Sequence, residues 1–135
     1  MKKLLMTSLV LLVACYSAFS QNTQRVEEGE KGLTKVSVMY PYAEGKTFNM
    51  EYYETKHMPM VAKFLGQNLV KYTIEKGISS GVPNQPIPFI AIGTFYVKSL
   101  SEYQSAIGPH RSAIREDFPN YTNITPLISV SEVIR

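Results

Sequence analysis

The chain is 135 residues long, enough for one domain with a packed core, and carries one cysteine, no tryptophan and a formal charge of +3. Two of its 14 basic residues, Lys2 and Lys3, sit at the extreme N-terminus; the 12 that remain face 11 acidic residues, too even a balance for a nucleic-acid or anionic-membrane surface. With Cys15 alone there is no disulfide framework, and with only His57 and His110 there is no histidine or cysteine cluster at zinc spacing.

Lys2 and Lys3 precede an apolar run from Leu4 to Ala14 and a small-residue stretch, Cys15-Tyr16-Ser17-Ala18-Phe19-Ser20, which is the layout of a secretory signal peptide at residues 1–20. Cleavage after Ser20 leaves an exported chain, periplasmic or extracellular, that begins at Gln21. The alternative takes Leu12-Val13-Ala14-Cys15 as a lipobox, with the protein anchored through a lipidated Cys15. A membrane span is not expected, because spanning needs roughly 20 apolar residues and no segment reaches that length. Residues 21–32 are polar, carry Glu27, Glu28, Glu30 and Lys31 without a hydrophobic period, and predict a flexible leader. The domain proper is expected over residues 33–135.

Thr34-Lys35-Val36-Ser37-Val38-Met39-Tyr40 alternates with the period of a strand and stops at Pro41. A loop through Gly45 leads to Thr47, placed to cap a helix that starts at Phe48. On that helix Asn49, Tyr53 and His57 recur every four residues and share a face. They offer an amide, a phenol and an imidazole, the one side chain whose ordinary pKa lies near neutrality. Pro59 disfavours a helical Met58 and removes a backbone donor, which predicts a break or kink just after His57, a further turn or two to Leu65 and a stop at Gly66.

Leu69 to Lys76 alternates as a second strand and is followed by a long connection holding Gly81, Pro83, Pro86 and Pro88. Phe89 to Val97 is apolar on both faces, as in a strand covered from both directions. Ser99-Leu100-Ser101-Glu102 is a capping box for a helix whose inner stripe is Leu100, Tyr103, Ala106 and Ile107. Gly108-Pro109 interrupts that helix, which resumes to Phe118, and Ile124 to Ile134 closes the domain as a strand. The order strand, helix, strand, strand, helix, strand predicts an α+β, ferredoxin-like βαββαβ domain: a four-stranded antiparallel sheet with two helices on one face. The uncovered face carries apolar and aromatic residues, which predicts a homodimer packed through the open sheet.

The fold order, the Tyr52-Tyr53-x-x-x-His57-Met58-Pro59-Met60 stretch and the late Asp117-Phe118-Pro119-Asn120-Tyr121 turn together resemble the EthD family of dimeric α/β-barrel proteins, over residues 33 to 134. That family takes its name from a protein tied to bacterial degradation of a fuel ether, and its members look like accessories to an oxidative system. The wider superfamily includes cofactor-free monooxygenases, lactone isomerases, polyketide cyclases and haem-dependent enzymes, so the resemblance implies an architecture more sharply than a chemistry.

In such barrels the ligand cleft lies between sheet and helices, and a histidine near the end of the first helix points into it in several relatives. His57 is the matching position, which implies a general acid or base, with Tyr53 orienting the substrate or stabilising an oxyanion. Asn49, Tyr40 and Tyr72 are expected beside it, with Phe89, Ile92 and Phe95 as the apolar wall for a small apolar or aromatic molecule. No cofactor is expected; haem carried by His57 is the alternative by superfamily analogy. His57 also has a structural counterpart, in which it bonds carbonyls freed by Pro59, and Asn49 has one as a capping residue. Two functions follow: an exported, cofactor-free enzyme with oxidoreductase-associated or acid/base isomerase or lyase chemistry at His57, or a non-catalytic ligand-binding or accessory barrel.

Overall fold

The computed structural model describes residues 29–135, and residues 33–133 form one compact unit. The leader at residues 1–20, with Cys15 and the two processing sites, and most of the 21–32 segment lie outside the described residues. Strands β1 (Thr34–Pro41), β2 (Leu69–Lys76), β3 (Phe89–Val97) and β4 (Leu127–Glu132) make one antiparallel sheet in the order β2-β3-β1-β4. Helix α1 (residues 50–65) connects β1 to β2, and helix α2 (residues 100–117) connects β3 to β4. Because β3 separates β1 from β2, this is the split arrangement of the ferredoxin-like fold.

The register sorts the side chains. Val36, Val38 and Tyr40 of β1 stand opposite Phe95, Gly93 and Ala91 of β3, all on the helix-bearing face. Against them pack Tyr53, Met58, Val61 and Leu65 of α1 and Ile107 of α2, forming one buried core with Tyr121 and Ile124. Each such aliphatic side chain removed from water contributes about 1.5–3 kcal/mol. The other face is more polar than its sequence pattern implied. Ile92, Tyr96 and Met39 stand there among Lys35, Ser37, Thr73, Glu75 and Thr94, and the ammonium of Lys71 lies 4.5 Å from the centre of the Tyr96 ring.

Three local expectations are corrected. Helix α1 starts at Met50, not Phe48, because Phe48 bridges Thr122 while the Thr47 carbonyl accepts a hydrogen bond from the Thr122 hydroxyl (2.8 Å). That long-range pairing holds Thr47 and Phe48 extended. Pro59 does not break the helix after His57; instead Tyr53–His57 form a π turn between the α-helical stretches Met50–Tyr52 and Met58–Leu65. Closing the turn through Met58 N–H to the Tyr53 carbonyl shifts the ladder before the proline, which removes the clash a Pro ring makes with an α-helical carbonyl. Strand β4 is shorter than predicted, Leu127–Glu132, since Pro126 has no N–H and Ile124 turns into the core with its own N–H held by the Thr122 hydroxyl (3.0 Å).

The remaining punctuation follows the expected chemistry. Gly66 stops α1 at φ 54°, a conformation that costs other residues a steric penalty. Ser99 caps α2 by accepting the Glu102 N–H (3.2 Å), although Leu100 of the expected inner stripe faces solvent. Gly108–His110 form a 3-10 turn at the predicted interruption, and there the His110 ring stacks on Phe64 of α1 at 3.9 Å. That stack joins the two helices across the roof of the sheet.

Candidate functional site

The π turn decides where the site residues point. In a regular α-helix of 3.6 residues per turn, positions five apart diverge by more than a third of a turn. Here Tyr53 and Met58 both come down on Gly93 of β3, where a Cβ would run into the Tyr53 hydroxyl and approach the Met58 sulfur to 3.1 Å. Only glycine leaves room for this pair on the central strand. His57 follows on the same side, its ring stacked 5.5 Å from that of Tyr53, and is 4 % exposed.

His57 is held by side chains and not by the backbone. Its Nδ1 lies 2.7 Å from Asp117 Oδ2, and its Nε2 lies 3.3 Å from the Tyr121 hydroxyl. Asp117 ends α2, and its other oxygen accepts hydrogen bonds from the Tyr52 hydroxyl (2.8 Å) and the Asn120 amide (2.9 Å). Beyond Tyr121 the series continues to Tyr40, whose hydroxyl is 2.7 Å away and whose ring meets that of Tyr53 edge-on at 5.4 Å. Adjacent Tyr52 and Tyr53 thus divide the work: one fixes the carboxylate from outside and the other enters the core.

Electrostatics assign the protons. Burial pushes the His57 imidazole below its ordinary 6.5, and the neighbouring Asp117 carboxylate only partly offsets it. Burial opposes ionisation of Asp117 as well, but hydrogen bonds from Asn120, His57 and Tyr52 outweigh it and hold that carboxyl below its usual range. The 2.7 Å contact has the spacing of an ion pair. At neutral pH it is nonetheless a charge-assisted hydrogen bond from a neutral imidazole: Nδ1–H donates to Asp117, and Nε2 keeps its lone pair and accepts from Tyr121. Burial drives Tyr40, Tyr53 and Tyr121 well above the ordinary phenol value of 10, so all three remain protonated donors.

A cavity of about 390 Å³ opens between the sheet and the helices, within the range of small-molecule sites. His57, Tyr53 and Tyr40 line its inner end; Val38, Val61, Phe95, Ile114, Phe118 and Ile128 form its apolar walls. Of the residues expected at a ligand site, His57, Tyr53, Tyr40 and Phe95 therefore come together. The others lie elsewhere. Asn49 caps α1 by accepting the Tyr52 N–H (3.0 Å), its side chain being spent on the helix end. Tyr72, on edge strand β2, packs on Phe95 from outside the cavity. Phe89 and Ile92 border a separate depression beside Gly77: Ile92 pairs with Met39 on the open face of the sheet, and Phe89 lies past the register shift at Tyr40/Pro41.

Asp117 and Tyr121 were not assigned roles from the sequence, although both stand in the Asp117-Phe118-Pro119-Asn120-Tyr121 turn singled out there. An acidic residue closing a helix, against the usual dipole preference, was the available signal. An iron macrocycle does not fit at His57 as it stands: Nε2 is turned to Tyr121, and the imidazole is enclosed by Tyr121, Tyr53 and Phe118 at ring distances of 4.5, 5.5 and 5.6 Å. Among the described residues no three His, Cys, Asp or Glu side chains gather at metal-binding distance. No described helix is long and apolar enough to cross a membrane.

Comparison with known proteins gives the family. The model of the EthD domain matches residues 46–125, which run from the entry to α1 to the turn that carries Tyr121. A solved EthD-like protein from Ralstonia eutropha JMP134 is 40% identical, with 78% of this chain and 95% of that one aligned at a TM-score of 0.73. A second solved protein, of the ethyl tert-butyl ether D (EthD) family from Bacillus halodurans C-125, shares the fold at 19% identity, with 72% and 96% of the two chains aligned and a TM-score of 0.52. No curated protein matches the sequence. With a family match over more than half its length and a 40% identical EthD-like structure over most of its domain, the chain belongs to the EthD domain family.

Proposed function

We propose that this protein binds a small apolar or aromatic carbonyl compound in the cavity between sheet and helices and moves a proton on it with His57. The observation that supports this most is the continuous series Asp117, His57, Tyr121, Tyr40, whose members are 2.7, 3.3 and 2.7 Å apart and which meets the cavity at His57 and Tyr40. Tyr121 can turn its hydroxyl hydrogen from Nε2 to the Tyr40 oxygen, which frees the Nε2 lone pair. Nε2 then takes a proton from the carbon next to the ligand's carbonyl; the C–H electron pair becomes a C=C bond and the carbonyl becomes an enolate oxygen. Tyr53 and Tyr40 donate hydrogen bonds to that oxygen, and the imidazolium, stabilised by Asp117, returns the proton to the same or a conjugated carbon. No electrons leave the ligand, so the step needs no oxidant.

Ligand holding without chemistry is the second reading, favoured by His57 being 4 % exposed with both nitrogens partnered. Incubating the protein with a panel of aryl ketones in D2O separates the two. Deuterium uptake beside the carbonyl, lost in His57→Gln, supports proton transfer; saturable binding without uptake supports holding.

The reading also places the protein outside the cytoplasm, on the strength of Lys2, Lys3 and the apolar run that follows them. It pairs two copies through the open sheet around Ile92 and Tyr96. Light scattering of wild type and Tyr96→Glu tests the pairing: a dimer that dissociates on substitution supports it, and a monomeric wild type contradicts it.

A further inference from the structure

The inner end of the cavity is aromatic and neutral; its rim is cationic. Arg111 and Arg115 both border it from the second half of α2, one helical turn apart and therefore on one face, beside the lining residues Ile107 and Ile114. Like charges at that spacing repel and weaken a helix unless something anionic lies between them. No acidic side chain among the described residues stands within ion-pair distance of either guanidinium, the adjacent Glu116 included, and Asp117 has its oxygens committed to His57, Tyr52 and Asn120. The field of Arg111 nonetheless reaches inward: burial raises the pKa of the cavity-lining Tyr103 phenol, and the positive charge of Arg111 draws it back. Two guanidinium forks without an ion-pair partner among the described residues thus border an apolar chamber of about 390 Å³.

We infer that the ligand of this cavity is an amphipathic anion, an apolar or aromatic body bearing a carboxylate or equivalent oxyanion, with Arg111 and Arg115 clamping the anionic group at the rim. This deepens the ligand-binding reading above and rests on it. A guanidinium presents two parallel N–H groups to a planar carboxylate, so the pair selects for an oxyanion and also fixes which end of the ligand points inward. The apolar body then fills the space lined by Val38, Phe95, Phe118 and Ile128, and its far end meets His57, Tyr53 and Tyr40.

The experiment titrates naphthoate and its neutral methyl ester into wild-type protein and into Arg111→Gln/Arg115→Gln by calorimetry, at about 20 mM and about 500 mM NaCl. Wild type is expected to bind the acid at least about tenfold more tightly than the ester, the scale of one charge-assisted hydrogen bond. The double substitution brings the acid down to the ester's affinity, and high salt narrows the gap. Equal affinity for acid and ester, a preference for the ester, or a preference for the acid that survives the double substitution overturns the anion clamp while leaving the cavity as a ligand site. Binding of neither probe by wild type overturns both. Circular dichroism of the double variant, whose two side chains are exposed, confirms that any loss is not unfolding.

Discussion

His57 Nδ1 and Asp117 Oδ2 lie 2.7 Å apart, joining the π turn of α1 to the last residue of α2 across 60 positions of sequence. The contact is a directional hydrogen bond and not a pair of opposite charges, because burial keeps the imidazole neutral. Its chief effect is to choose a tautomer. With Nδ1 protonated, Nε2 is the basic nitrogen, and the phenols of Tyr121 and then Tyr40 follow from that side.

The tautomer and the titration are measurable together. A long-range proton-nitrogen NMR titration is expected to give His57 a pKa below 6.5, with the proton on Nδ1 at neutral pH. Asp117→Asn removes the one neighbour that favours the charged ring, so the value falls further; a rise in that variant contradicts the assignment.

Stability follows the same sign. A folded His57 that resists protonation binds fewer protons than the unfolded chain, so its contribution is complete above pH 6.5 and declines as pH falls toward the folded value. Asp117, also depressed, adds a second loss of the same sign at pH below 3.8. Urea midpoints at pH 7.5 and 5.5 are expected to differ in favour of the higher pH, and the difference to shrink in His57→Gln.

Gly93 is a packing requirement of the site. Gly93→Ala places a methyl group against the Tyr53 hydroxyl and Met58 sulfur. Overpacking of this kind costs about 1–3 kcal/mol. Urea unfolding measures the loss, and the displaced Tyr53 ring should weaken ligand binding in the same variant. An unchanged midpoint contradicts the close contact.

Asn49→Ala tests the division between cap and site. Loss of the side-chain bond to Tyr52 N–H is expected to cost about 0.5–2 kcal/mol of stability without altering ligand affinity at pH 7. A large fall in affinity at unchanged stability contradicts the capping role.

These variants also mark where the sequence was legible. β1, β2 and β3 were readable because alternation and prolines act locally, and Gly66 and Ser99 because caps do. His57, Tyr53, Tyr40 and Phe95 were found at the cavity, where topology and helix spacing agreed. Asp117 and Tyr121 escaped because their partners are 60 and 64 residues distant, and the one local signal, an acidic residue closing α2, names no partner. Asn49 was misplaced since the Phe48 to Thr122 bridge delays the helix start, and the π turn was invisible because proline announces a disturbance without its form. Ile92 failed because alternation along β3 turns it to the face opposite Phe95, and Phe89 because a bulge at the end of β1 interrupts the register there.

The most direct measurement of proton transfer by a neutral His57 is the pH profile of deuterium uptake by an aryl ketone that the protein binds, compared between wild type and His57→Gln. The account predicts a plateau above pH 6.5, a fall on the acid side with an apparent pKa below 6.5, and a loss of about 10²–10⁴-fold in the variant at full ligand occupancy. Uptake by a folded, ligand-saturated His57→Gln protein at the wild-type rate, or none by wild type under the same saturation, contradicts it.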